Sequence, residues 1–302
     1  MTRWGHTAFL LAGLCCVATP AGSQEGAGET EAAAPARTQP TAGMIFNFIP
    51  RVYTMAPTEG VGHRVLVVYA IPATRLTGAD ADGDAPYLAH LRLSVVDVSG
   101  DSILVTDAGR SLVGMASGAE QYALGIEELA LAPGDYLLNI YLGTRDESIG
   151  METVAREIAV EDLQRSTLWL SDLVLGRGGV GIAWERDGEI VTIDPLNTYE
   201  QGSSIEVYYE VVGLPEGAEF ETSISFTPIT QYNPVVEENQ SPRVSFGYDE
   251  VARSRFTPLR RTFNLGDFPP GRYRLTVAAQ VPGRPAVTRG TTIRVLEVTD
   301  PL

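Results

Sequence analysis

The sequence predicts an all-β protein, and three observations carry that prediction. Runs such as "HRVLVVYAI", "HLRLSVVDV" and "DSILVTD" are rich in β-branched residues and end in turn formers. The stretch "LAPGDYLL", Leu131 to Leu138, recurs as "FPPGRYRL", Phe268 to Leu275, with the same order of apolar, Pro, Gly, Tyr and Leu. Each copy is preceded by roughly 90 residues of strand-like runs, the space six strands and their turns need, and is followed by one more strand, "ETVAREIAV" or "VTRGTTIRV".

Pro133-Gly134 and Pro270-Gly271 punctuate turns, and the strand after each turn alternates. In the second copy Tyr273, Leu275 and Val277 share one face, and Arg272, Arg274 and Thr276 share the other. The first copy is less clean, because Leu137 and Tyr141 fall on the outward set. A tyrosine just after such a turn, Tyr136 or Tyr273, has the shape of a tyrosine corner, whose hydroxyl bonds upstream backbone in immunoglobulin-like sandwiches. The repeat therefore marks the penultimate strand of two tandem immunoglobulin-like β-sandwich domains, at 44–161 and 167–298, joined by the short polar "VEDLQRST".

Residues 1–23 read as a signal peptide: Arg3, then the apolar "AFLLAGLCCVA", then small residues ending at Ser23. The run is shorter than the roughly 20 residues a membrane span needs. Both cysteines, Cys15 and Cys16, lie inside it, so a chain beginning at Gln24 would form no disulfide. The alternative is a lipoprotein anchored through Cys15 or Cys16. Residues 24–43 hold no aromatic and no aliphatic larger than alanine, the composition of a disordered linker. From Met44 onward the alternation begins, and "VSGDS", Val98 to Ser102, is a hairpin turn.

Composition removes several chemistries. Across 302 residues there is no lysine, which excludes Schiff-base chemistry, a P-loop and a lysine base. A formal charge of −16 argues against nucleic acid and anionic membranes as partners. No nucleophile elbow, zinc-protease motif or phosphate loop occurs. His63 and His90 head β-rich runs, as ordinary strand-end histidines do, although a serine triad with distant partners would use one of them. The pairs Glu127-Glu128 and Glu237-Glu238 make poor dyads, because neighbours on a strand point to opposite faces. "TGADADGDAP" sets Asp80, Asp82 and Asp84 around Gly83, a candidate calcium loop. An EF-hand starting at Asp80 would need glutamate where Leu91 stands, which favours a solvated acidic turn.

The second half carries "LWLSDLVLGRGG", "EQGSSIEVYYEVVGL" and "LGDFPPGRYRLTVAAQ" in that order. This succession resembles the C-terminal β-sandwich region of bacterial secreted GWxTD-domain proteins, over residues 168 to 298. The resemblance implies a sandwich fold and an extracytoplasmic location. The Gly-Trp-x-Thr-Asp signature itself is absent, so that module's activity does not carry over.

Cations gather in one segment, Thr227 to Arg261. There Tyr232, Phe246, Tyr248 and Phe256 alternate with Arg243, Arg253, Arg255, Arg260 and Arg261. Arginine forks beside aromatic anchors suit a partner bearing carboxylates; a plain connection would use the same arginines to balance Glu237, Glu238, Asp249 and Glu250. The expectation is an exported, non-catalytic module that binds an envelope or secreted protein, with strand addition at a sheet edge as the generic mechanism. The alternatives are an accessory carbohydrate-binding module stacking sugars on Trp169, Trp184 and Tyr208 or Tyr209, and a hydrolase with a site between the domains.

Overall fold

Period-two patterning becomes alternate burial. Along β3 (Tyr87–Asp97) the side chains of Ala89, Leu91, Leu93 and Val95 are buried, while Leu88, Arg92 and Ser94 face the other way. The computed structural model describes residues 47–57, 62–76, 87–117, 120–153, 156–163, 168–229, 243–254 and 256–297. Outside them lie the signal peptide and linker read from the sequence, both cysteines, Asp80, Asp82, Asp84, Tyr232, Arg255, Glu237 and Glu238. The regular structure of the described residues is nineteen strands and one 3-10 turn, Ala73–Arg75; no helix there is long and apolar enough to cross a membrane.

The first half uses β1 (Ile49–Met55), β2 (His63–Pro72), β3, β4 (Ser102–Ser117), β5 (Glu120–Leu131), β6 (Gly134–Thr144), β7 (Gly150–Glu152) and β8 (Arg156–Val160). One layer runs β1-β2-β5 and the facing layer β4-β3-β6-β8, with β7 also on β6. The last five residues of β4, Val113–Ser117, cross over to pair with β5 and join the layers into one eight-stranded sheet. The expected turn at Val98 to Ser102 connects β3 to β4; Asp97 Oδ1 accepts hydrogen bonds from the Ser99 and Asp101 amides there. Tyr141, on the outward face of β6, lies under the Arg92 guanidinium at 4.5 Å and over Gly150, where a Cβ would strike its ring.

The second half repeats the plan with β9 (Trp169–Leu170), β10 (Val174–Gly176), β11 (Ile182–Arg186), β12 (Glu189–Ile193), β13 (Thr198–Glu200), β14 (Ser204–Val212), β15 (Glu219–Pro228), β16 (Val244–Val251), β17 (Phe256–Asn264), β18 (Gly271–Gln280) and β19 (Val287–Leu296). Its layers are β9/β10-β14-β17 and β13-β19-β18-β15-β16. The hairpin β11-β12 is an insertion without a counterpart among the described residues of the first half. Each half encloses its own apolar core.

The tyrosines fix the equivalence. Tyr136 donates its hydroxyl hydrogen bond to Ala132 O at 2.8 Å, and Tyr273 to Pro269 O at 2.7 Å, each four residues upstream. Tyr136 faces Ile158 on β8, and Tyr273 faces Ile293 on β19. The repeated eight residues thus build the same corner twice.

A third apolar cluster lies between the two cores. Strand β2 is buried on both faces: Val65, Val67, Tyr69 and Ile71 enter the first core, while Leu66, Val68 and Ala70 meet the inserted hairpin. This explains why "VLVVYAI" shows no alternation. Leu66, Val68, Val191 and Ile193 are fully buried there, and at roughly 1.5–3 kcal/mol each they hold the hairpin firmly to β2. The described residues belong to one compact unit, 40–302.

Candidate interaction surface

Among the described residues β16 pairs only with β15, and β17 only with β14, so each ends its layer there on the same side of the second core. Phe246 of β16 packs on Phe263 of β17 at 5.0 Å, closing the sandwich there. Register decides where each predicted residue points. Phe263, Arg261, Leu259 and Thr257 stand opposite the buried Ile205, Val207, Tyr209 and Val211, hence inward. Arg260 and Phe256 take the outward face.

The predicted cluster therefore divides. Arg243 donates to Asp267 O at 2.9 Å, away from the others. Phe256 lies 4.7 Å from the Arg186 guanidinium, in the junction between the halves. Tyr248 lies beneath Arg261 at 4.6 Å, and Arg261 pairs with Glu250, as the balancing reading expects. Arg253, Arg260 and Arg261, however, surround one recess of about 170 Å³, with Glu189, Tyr208 and Pro258 completing its wall.

The electrostatics of that recess are uneven. Arg260 donates to Ile190 O at 2.8 Å, with Glu206 at 3.7 Å and Glu189 at 3.8 Å. The Nε atoms of Arg260 and Arg261 are buried and donate to no hydrogen-bond acceptor among the described residues. Arg253 is exposed, and among the described residues its amide is bonded to Thr257 Oγ1. Three guanidinium groups thus line one concavity, with Arg261 already paired to Glu250 and Arg260 beside Glu189 and Glu206; guanidinium forks bind carboxylate oxygens in pairs. The edge of β17 is poorly suited to take another strand, because Pro258 lacks an amide hydrogen and Arg261 points inward.

The proposed sugar platforms are corrected. Trp169, Trp184, Tyr208 and Tyr209 are at most 4% exposed, so none offers a ring face to solvent. Trp184 donates to Glu128 Oε2 at 2.9 Å and meets Tyr208 edge-on at 6.0 Å. Their apolar strand contexts meant core packing.

One polar group the sequence reading passed over lies at the junction. Arg186 Nε donates to Glu210 Oε1 at 2.7 Å, and Arg186 Nη2 donates to Ala56 O at 2.7 Å. Glu210 Oε2 accepts the Ala56 amide at 2.7 Å, and Tyr208 donates to Glu210 Oε1 at 3.0 Å. Both ions are buried. The signal was present: Arg186 follows Ile182 and Trp184 on one strand face, and Glu210 sits inside "VYYEVV", where a charge breaks the apolar pattern.

Comparison with known proteins supplies no family. No protein-family model matches the chain, and no curated protein matches it. Among solved structures, red sea bream transglutaminase is 11% identical at a TM-score of 0.23, over 82% of this chain and 31% of that one. A calcium-binding mutant of Bacteroides uniformis beta-glucuronidase 2 is 8% identical at 0.30, over 80% and 27%. The C-terminal domain of the Streptococcus agalactiae AgI/II polypeptide BspA is 12% identical at 0.23, over 82% and 99%. This chain thus spans less than a third of either enzyme's length, and likenesses of this size carry no functional argument.

The histidines occupy separate places. His63 opens β2, is buried, donates from Nε2 to Glu161 O at 2.7 Å and meets Trp169 edge-on at 5.2 Å. His90 lies within β3 rather than at its head, 2.5 Å from Asp107 and 3.7 Å from Glu147. Glu127 and Glu128 diverge as expected of strand neighbours, the first to Arg110 at 2.6 Å and the second to Arg64 at 2.9 Å. Among the described residues no group of three or more His, Cys, Asp or Glu could hold a metal ion.

Proposed function

We propose that this protein is an extracytoplasmic, non-catalytic interaction module that holds an acidic segment of an envelope or secreted protein in the arginine recess beside β17. The observation that carries the reading is the convergence of Arg253, Arg260 and Arg261 on one concavity. The protein's overall charge of −16 repels acidic chains at long range. At physiological salt that field decays within about 8 Å, so the local cations govern what docks. The export signal read in residues 1–23 supports the location.

The test is a calorimetric titration of the full chain with a short synthetic Glu-rich peptide, using its Gln-rich counterpart as control. Saturable binding of the acidic peptide, weakened by salt and by Arg253→Ala with Arg260→Ala, is expected. Equal binding of both peptides, or none by the acidic one, contradicts the reading.

A further inference from the structure

The outer face of the sheet β13-β19-β18-β15-β16 sorts its side chains by charge. Tyr273, Leu275 and Val277 of β18 and Phe220, Ile224 and Phe226 of β15 are buried, so the residues between them point outward. Register then places Arg272 directly opposite Arg294 at one end, with Arg274 two residues further along β18. At the other end Glu221 stands directly opposite Asp249, with Glu219 two residues beyond on β15. Thr227, which faces Arg274, is separated from Glu221 by about 20 Å of strand. Both arginines of the opposed pair, both acids, Arg274 and Glu219 are exposed. Like charges directly opposite one another destabilise a sheet, and this face keeps two such pairs, one of each sign.

Between the charged ends the face is small and flat. Ser223 and Ser225 of β15 lie beside Gly247 and Ser245 of β16, and Thr276 of β18 lies beside Gly290 of β19. Open space stands above Gly247. Arg274 Nε is 3.6 Å from the position a Cβ on Gly290 would take, so this arginine leans over the small residues rather than away from them. Arg294 forms no ion pair among the described residues. By register the acid beside the basic end is Glu200 of β13, which stands opposite Leu296 and not opposite an arginine.

We infer that this sheet face binds a second copy of itself. A two-fold axis lying in the interface and running roughly across the strands sets each basic end over the other copy's acidic end. Such an interface is isologous, so every contact forms twice, and the strands of the two sheets stay nearly aligned, as stacked sheets prefer. A foreign partner of one sign would satisfy one end and oppose the other, whereas a second copy satisfies both. Size agrees. Strands β18 and β19 are each 10 residues long; with β15 and β16 they make a face of roughly 20 Å by 34 Å. That approaches the roughly 800 Å² per partner of a standard interface. The formal charge of −16 opposes self-association at long range. At physiological salt that field decays within about 8 Å, inside which guanidinium–carboxylate pairs act. This face uses none of the residues that line the arginine recess.

The test is sedimentation of the full chain over a dilution series at physiological salt, with two charge-reversed variants. Glu221→Arg with Asp249→Arg makes the face basic at both ends, and Arg272→Glu with Arg294→Glu makes it acidic at both. The wild type should show a monomer–dimer equilibrium, each variant alone should dimerise at least roughly tenfold more weakly, and an equal mixture of the two should regain the dimer. Glu221→Gln with Asp249→Asn, which removes attraction without adding repulsion, gives a milder second reading and should fall between the wild type and the reversals. A wild type that stays monomeric at every concentration overturns the inference. So does a dimer that both reversals leave intact, or a mixture of the two variants that stays monomeric. A monomer that instead holds a foreign protein on this face, released by both reversals, overturns the second copy as its occupant.

Discussion

Arg186 and Glu210 meet at 2.7 Å where neither reaches solvent, one on the inserted hairpin and the other on β14, and both also bond the backbone of Ala56 from the first half. A buried pair of this kind adds little over an apolar pair, but removing one partner strands a charge. Glu210→Gln should therefore cost about 3–5 kcal/mol, and Arg186→Met with Glu210→Leu should recover much of the loss. Urea denaturation of the two variants checks this; equal cost for both would trace the loss to the pair's bonds with Ala56 rather than to a stranded charge.

The paired corners predict a matched penalty. Tyr136→Phe and Tyr273→Phe each delete one hydroxyl bond to a carbonyl four residues upstream, worth about 0.5–1.5 kcal/mol. Denaturation midpoints of the two single variants should fall by similar amounts. A loss at only one site would show that the corners are not equivalent.

Tyr69 stands directly across from Gly125 in the β2–β5 register, and a Cβ at 125 would overlap its ring. Gly125→Ala overpacks the first core and should cost about 1–3 kcal/mol. Thermal unfolding reads this directly, and an unchanged midpoint would show that the ring shifts freely.

His63 supplies the pH dependence. Burial holds its imidazole below the ordinary histidine pKa, outweighing its bonds to backbone and the nearby acids Glu161 and Asp162. The unfolded chain takes up this proton near pH 6.5, and the folded chain only at lower pH. Its contribution is thus fully present above about pH 6.5 and is lost as pH falls through the folded value. Stability between about pH 7.5 and about pH 5 should decline more steeply in the wild type than in His63→Gln. Parallel slopes would remove His63 from this role.

Much of this architecture was legible in residues that act locally. Pro133-Gly134, Tyr136 and their second-half counterparts announce the corners because turn chemistry and period-two burial operate over a few neighbours. What escaped depends on distant pairing. Arg186 is satisfied by Ala56 and Glu210, far away in the chain, so only its misfit among apolar neighbours could be read. The unbroken runs of β2 and β14 marked strands with two covered faces, a sign that the halves share a buried junction. Sequence also grouped Arg260 with Arg261, although strand register sends them to opposite faces and both still line one recess. Trp169 and Trp184 lie in apolar strand contexts, which favour core packing over stacking platforms, and both are buried.

Capture from native envelope extract tests the central claim most directly, comparing the wild-type chain with an Arg253→Glu, Arg260→Glu variant of unchanged thermal stability. The account predicts that the wild type retains a protein with an acidic segment and that the variant loses it. The same proteins on both chains, or none on either, would contradict it.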